Sequence, residues 1–217
     1  MTSDHQLQQD VLDELEFEPR VNAAHIGVVA KGGVVTLTGF VTGYAEKFAA
    51  EAAARRVKGA KAIAEEIEVR LPSDKKQADD EIAERALRIL RWDELVPADH
   101  IAVKVEKGMV TLTGTVDWQY QKSEAEYDIR KLSGVVGVIN QLQVKSPAAA
   151  AEVKDQIERA LRRSAQLEAS GIRVETSGGS VTLKGTVHDW FERDLIERAA
   201  WSVPGVTEVH DRLTIEP

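Results

Sequence analysis

The chain contains no cysteine among its 217 residues. Disulfides, thiolate nucleophiles and thiolate metal sites are therefore excluded. A reducing and an oxidising compartment suit such a chain equally. No run of about 18 apolar residues occurs, so no transmembrane helix is expected. The opening segment MTSDHQLQQDVLDELEFEP has no basic start, no apolar stretch and no small-residue cleavage site. It does not read as a secretory leader, and the plain expectation is a cytoplasmic protein. A long basic run is also missing, and the net charge is −8. Nucleic-acid binding draws most of its affinity from Lys and Arg on phosphates, so a nucleic-acid partner is not expected. The same charge requires any contact with anionic lipid to be local. No P-loop, G-x-S-x-G, dinucleotide fingerprint or H-E-x-x-H spacing is present.

What is present is a repeat. VTLTGFV (35–41), VTLTGTV (110–116) and VTLKGTV (181–187) carry Gly39, Gly114 and Gly185 at one position. Twenty residues after each stands a second glycine, Gly59, Gly134 or Gly205, and thirteen before each an isoleucine, Ile26, Ile101 or Ile172. Leu7, Val11 and Leu15 align with Ile82, Ala86 and Leu90, and with Val153, Ile157 and Leu161. Ile63, Ile67 and Val69 align with Val138, Leu142 and Val144, and with Val209, Leu213 and Ile215.

Each copy reads as one αββαβ unit. The i, i+4, i+8 apolar stripe predicts an opening helix. An alternating run, a Gly turn and the V-T-L-x-G-x-V run predict a hairpin. A second helix follows: Asp189 with Glu192 has the capping-box pattern in the third copy. Asp117 is the expected cap in the second copy and Thr42 in the first. The second glycine is expected to end that helix in the left-handed conformation. A last strand closes the unit. The expected fold is α+β: three modules at 1–71, 79–145 and 150–217, each a mixed three-stranded sheet covered by two helices on one face. A unit of about 65 residues hides only about 60% of its unfolded surface, so the modules are expected to pack on one another.

This pattern resembles the BON domain family, the bacterial OsmY and nodulation domain, across nearly the whole chain. The resemblance rests on V-T-L-T-G-x-V, the glycine twenty residues on, and the αββαβ order. It implies a non-enzymatic, osmotically inducible stress protein that binds phospholipid or attaches to an envelope assembly. It also implies a periplasmic setting as the alternative to the cytoplasm. A second function implied by the resemblance is a cytoplasmic adaptor or potassium sensor working through protein docking.

Candidate site residues divide into two groups. Gly39, Gly59, Gly114, Gly134, Gly185 and Gly205 are read as fold residues, for bulges, close backbone approach or helix ends. Trp118 and Tyr120, Trp190 and Phe191, and Tyr44 gather at the start of the second helix. They are candidates for contact between modules first, and for lipid or partner contact second. Trp92 and Phe17 share a position after the first helix, where the third copy has Arg163. The copies therefore differ in function at that point. Trp201 is expected in a core. Arg55, Arg56, Lys58 and Lys61, and Arg159, Arg162 and Arg163, read as solvated, salt-bridged faces. The histidines lack ligand spacing, so neither a metal nor a cofactor is expected.

Overall fold

The computed structural model describes residues 3–145, 153–163 and 171–216. The first module runs α1 (Asp4–Phe17), β1 (Ile26–Lys31), β2 (Val34–Val41), α2 (Tyr44–Arg56) and β3 (Ala62–Val69). The second runs α3 (Asp79–Trp92), β4 (Ile101–Glu106), β5 (Met109–Val116), α4 (Gln119–Arg130) and β6 (Gly137–Val144). The third runs α5 (Val153–Arg163), β7 (Arg173–Ser177), β8 (Ser180–Val187), α6 (Trp190–Trp201) and β9 (Glu208–Ile215). Residues 146–149, between the expected second and third modules, lie outside the described residues.

Each sheet is mixed, as the crossover helix requires. β1 pairs antiparallel with β2 through the hairpin, and β2 pairs parallel with β3. The other two sheets repeat this order. Both helices of a module feed one core. In the first module Leu7, Val11 and Leu15 of α1 meet Ala50, Ala53 and Ala54 of α2 over Val35, Leu37 and Ile67. Small side chains let α2 lie close to the sheet. Hiding each large aliphatic side chain contributes about 1.5–3 kcal/mol, which a marginal module needs.

The V-T-L-x-G strand depends on its glycine for a specific reason. Gly39 has φ 112° and Gly114 has φ 133°. A Cβ on Gly39 would lie 2.0 Å from the His25 carbonyl oxygen, and one on Gly114 2.0 Å from that of His100. The third module is looser: a Cβ on Gly185 would lie 2.6 Å from the Gly171 oxygen.

Two local expectations need correction. Thr42 and Asp117 are not the helix caps. The N-cap residues of α2 and α4 are Gly43 and Trp118, at the position that Asp189 holds before α6. The Thr42 backbone N–H and hydroxyl instead donate to Glu46, and the N–H groups of Asp117 and Trp118 donate to Gln121. In the third module Asp189 does accept from the Glu192 N–H, while Glu192 reaches back to the His188 N–H. The second glycines are left-handed (Gly59 at φ 97°, Gly134 at 93°, Gly205 at 94°), but they follow the C-caps Val57, Lys131 and Ser202 by two or three residues. They shape the turn into the last strand rather than the last turn of helix.

A polar position inside the last strand also repeats. Glu65 and Asp211 each accept the backbone N–H two residues on and pair with a cation on the facing helix, Lys47 and Arg193. Asn140 does the same for Leu142 and donates to the Lys122 carbonyl and Glu126. Glu65 is thus part of how α2 is seated. Asp4 and Asp79 add a second clasp: each accepts backbone N–H groups in its module's hairpin turn, at Gly32 and at Lys107 and Gly108.

Candidate functional site

The two groups of aromatic residues have different fates. Tyr44, on the first turn of α2, packs against the core of the second module. Burial, the largest cause, raises its pKa. Trp190, at the equivalent turn of α6, donates its indole N–H to the Ala60 carbonyl of the first module at 2.9 Å. Arg55 lies over the Trp190 ring at 4.6 Å, and Arg193 lies 5.0 Å from its centroid. Phe191 beside it stays 55% exposed. In the second module Trp118 is half-buried and Tyr120 is 50% exposed. The five residues therefore do not form one surface. Trp201 is partly buried against the third core.

Two grooves lie beside the contacts between modules. One, of about 330 Å³, is lined by Phe48, Ala52 and Arg55 of the first module and by Trp190, Phe191 and Asp194 of the third. The other, of about 600 Å³, runs from Gly43–Phe48 to Tyr127, Arg130 and the turn after α4. Arg130 lies 3.8 Å over Phe48 and 5.4 Å from Tyr127, and its Nε and Nη1 are buried without a hydrogen-bond partner. A guanidinium stacked on rings this way keeps its charge without a carboxylate. Among the described residues, no three His, Asp or Glu side chains gather where they could hold a metal ion.

The end of the leading helix is the opposite case. Trp92 closes α3 with 89% of its surface exposed, and Phe17 closes α1 with 82% exposed. Leu87 and Leu95 flank Trp92 and are also exposed. Arg85, Arg88 and Arg91 are exposed on the last two turns of the same helix. The Arg88–Glu84 pair is open to solvent on both sides and is worth little. The corresponding positions around Phe17 are Asp10, Asp13 and Glu16. An exposed tryptophan is unusual, because its ring is a large apolar surface to leave in water. The sequence showed Phe17 and Trp92 at a shared position, expected after the first helix; each is instead the last residue of its helix, and its near-complete exposure needed the assembled modules.

The end of α1 carries a different device. Glu18 is buried and accepts from the Arg20 side chain at 2.7 Å and from Arg56 at 3.2 Å. Chiefly through the Arg20 hydrogen bond, its pKa falls to about 2. Arg56 also reaches Glu14, so the ends of α1 and α2 are tied together. Arg20 is exposed, but its charge is paired with Glu18, so it adds no free basic charge beside Phe17.

No helix among the described residues is long and apolar enough to cross a membrane. The BON domain profile matches residues 3–70, 78–146 and 149–217. The osmotically-inducible protein Y of Escherichia coli (strain K12) is 33% identical over 129 residues, covering 58% of this chain and 64% of that protein. The chain thus matches a little under two thirds of that relative's length. Among solved structures, the C-terminal domain of CdsD, the structural protein of the type III secretion system of Chlamydia trachomatis, aligns at 14% identity over 99% of this chain and all of its own, with a TM-score of 0.28. A second CdsD structure aligns at 13% identity over 96% and 91%, with a TM-score of 0.27. Scores this low carry no argument about fold or partner.

Proposed function

Because the chain belongs to the BON domain family, present here in three copies, we propose that it is a non-enzymatic, osmotic-stress-related protein that contacts phospholipid through the carboxyl end of α3. The similarity to an osmotically-inducible protein supports the stress setting. The observation that carries the lipid reading is Trp92, 89% exposed at the end of a helix whose last turns present Arg85, Arg88 and Arg91. Tryptophan favours the headgroup level of a bilayer, where its ring meets acyl chains and its N–H meets water. Arginine stems lie along apolar surface while the guanidinium stays wet, so the same helix end satisfies both layers. Each basic residue near an anionic surface adds about 1 kcal/mol, a local attraction that the net charge of −8 does not cancel within a Debye length.

Phe17 has the exposure without the charge, since Asp13 and Glu16 flank it. The third module has charge without the ring: Arg162 and Arg163 close α5. Only the second module combines both among the described residues. Co-sedimentation with anionic and with zwitterionic vesicles at physiological salt tests the reading. Binding that is stronger on anionic vesicles and weakens with salt is expected. No binding to either vesicle removes the lipid reading and leaves an envelope protein as the partner for the same surface.

A further inference from the structure

The leading helices of the first and second modules carry opposite charge at matched positions. Equivalent residues follow from the offset between Gly39 and Gly114. Asp10 matches Arg85, Asp13 matches Arg88, and Glu16 matches Arg91. An i, i+3 spacing sets each group along one stripe of its helix. Both stripes lie off the core residues of α1 and α3. Asp10 is half-buried and the other five side chains are exposed. Each stripe ends beside an exposed ring, Phe17 on α1 and Trp92 on α3. Leu87 and Leu95 widen the apolar patch around Trp92.

Neither stripe is neutralised within the chain. Among the described residues the acidic stripe is met by neutral side chains: Gln6 donates to Asp10 and Gln9 to Asp13. Arg88 pairs with Glu84, but both side chains are open to solvent, so an incoming carboxylate displaces that pair at little cost. The rings and charges also stay exposed, so the two faces do not cover each other in one chain. A specific protein interface sets an apolar centre inside a polar rim. The face of α1 offers a ring with negative charges, and that of α3 a ring with positive ones. An anionic bilayer repels the stripe on α1, so the occupant of that face is cationic. The third module does not supply it: α5 presents Arg162 but ends on Arg163, with no ring to bury.

We propose that the chain associates with itself, the acidic face of α1 in one copy docking on the basic face of α3 in a second copy. The second copy is the occupant because its α3 carries the opposite charge at each matched position, beside a ring of its own. The inference uses the face of α3 that the lipid reading uses, but it does not rest on that reading. An anionic bilayer and α1 compete for that face, and self-association withholds Trp92 from lipid.

Sedimentation velocity of the full chain without lipid, from about 1 μM to about 1 mM, spans weak specific contacts and tests the proposal. The mass is expected to rise above the 23.8 kDa of one chain with concentration. It is expected to rise less at about 1 M salt, where the Debye length falls to about 3 Å. Asp13→Arg with Glu16→Arg makes the end of α1 basic like that of α3. Arg88→Glu with Arg91→Glu makes the end of α3 acidic like that of α1. Each reversed chain alone is expected to associate about tenfold more weakly or worse, because like charges then face each other. Mixed one to one, the two are expected to associate again, since every face meets its opposite. All four positions are exposed, and circular dichroism melts check that the variants fold. Phe17→Ala and Trp92→Ala, which trim exposed rings alone, stand in for any reversed chain that melts early, and each is expected to weaken association about threefold or more. A chain that stays monomeric throughout overturns the proposal. So does association that these variants leave unchanged, or reversed chains that do not recover when mixed. Association that persists in a chain unable to bind vesicles overturns the lipid reading alone.

Discussion

The first and second modules share helix order, sheet register and glycine-dependent strand, yet matched exposed positions leading up to the ends of α1 and α3 have opposite charge. Phe17 stands beside Asp13 and Glu16; Trp92 stands beside Arg88 and Arg91. The core stripes beneath them are equivalent: Leu7, Val11 and Leu15 against Ile82, Ala86 and Leu90. The repeat therefore holds the inward face constant and lets the outward face diverge. Function is to be sought where equivalent positions differ, and scaffold where they agree.

The comparison breaks first if the two scaffolds are not alike. Gly39→Val and Gly114→Val should each cost about 3 kcal/mol or more in urea denaturation, because each Cβ would meet a carbonyl oxygen at 2.0 Å at positive φ. Gly185→Val, with 2.6 Å available, should cost less. Near-equal mild effects at all three sites would mean the close approach relaxes easily.

The next effect concerns charge. Reversing Arg88 and Arg91 to Glu should weaken binding to anionic vesicles by about 2 kcal/mol or more, roughly thirtyfold, at about 1 kcal/mol for each basic residue lost. Core stability should change little, since both side chains are exposed. The converse change, Asp13→Arg with Glu16→Arg, should create binding in the first module, where Phe17 is already in place. No gain there would show that the ring at position 17 faces the wrong way.

Trp92→Ala should lower vesicle affinity about tenfold, or 1.4 kcal/mol, while Phe17→Ala should change it less than twofold. Equal losses would merge the two modules into one lipid surface.

A further effect separates the modules by pH. The Glu18 pKa is lowered from 4.5 to about 2, so its ionised form is favoured in the folded chain. The stability this supplies is complete above about pH 4.5 and is lost as pH falls toward 2. Denaturation at a series of pH values across that window should show stability falling with acid, with a shallower slope in Glu18→Gln. An unchanged slope would remove Glu18 from the account.

Much of the fold was legible because its signals are local. Alternation in V-T-L-x-G-x-V, the i+4 stripe of Leu7, Val11 and Leu15, and fixed glycine spacing each depend on a few adjacent residues. The mixed sheet followed from a helix lying between β2 and β3. The caps were misread by one residue because Thr42 and Asp117 are good capping residue types, whereas Gly43 and Trp118 hold the cap position and Glu46 and Gln121 satisfy the backbone from inside the helix. The aromatic residues could not be sorted from sequence. Tyr44 and Trp190 look like Tyr120 and Phe191 until the modules are assembled, and only the first pair is then covered by another module. Trp92 and Phe17 were visible as a shared position, but only the structure shows how far they stand clear of every module.

A chain whose only tryptophan is Trp92, with Trp118, Trp190 and Trp201 replaced by phenylalanine, tests the central claim most directly. Its fluorescence is measured with anionic vesicles carrying brominated acyl chains. The account predicts a blue-shifted emission and quenching by bromine near the headgroups, because the ring leaves water for the bilayer interface. Emission that stays at its aqueous wavelength, unquenched while the protein co-sediments with the vesicles, would contradict it.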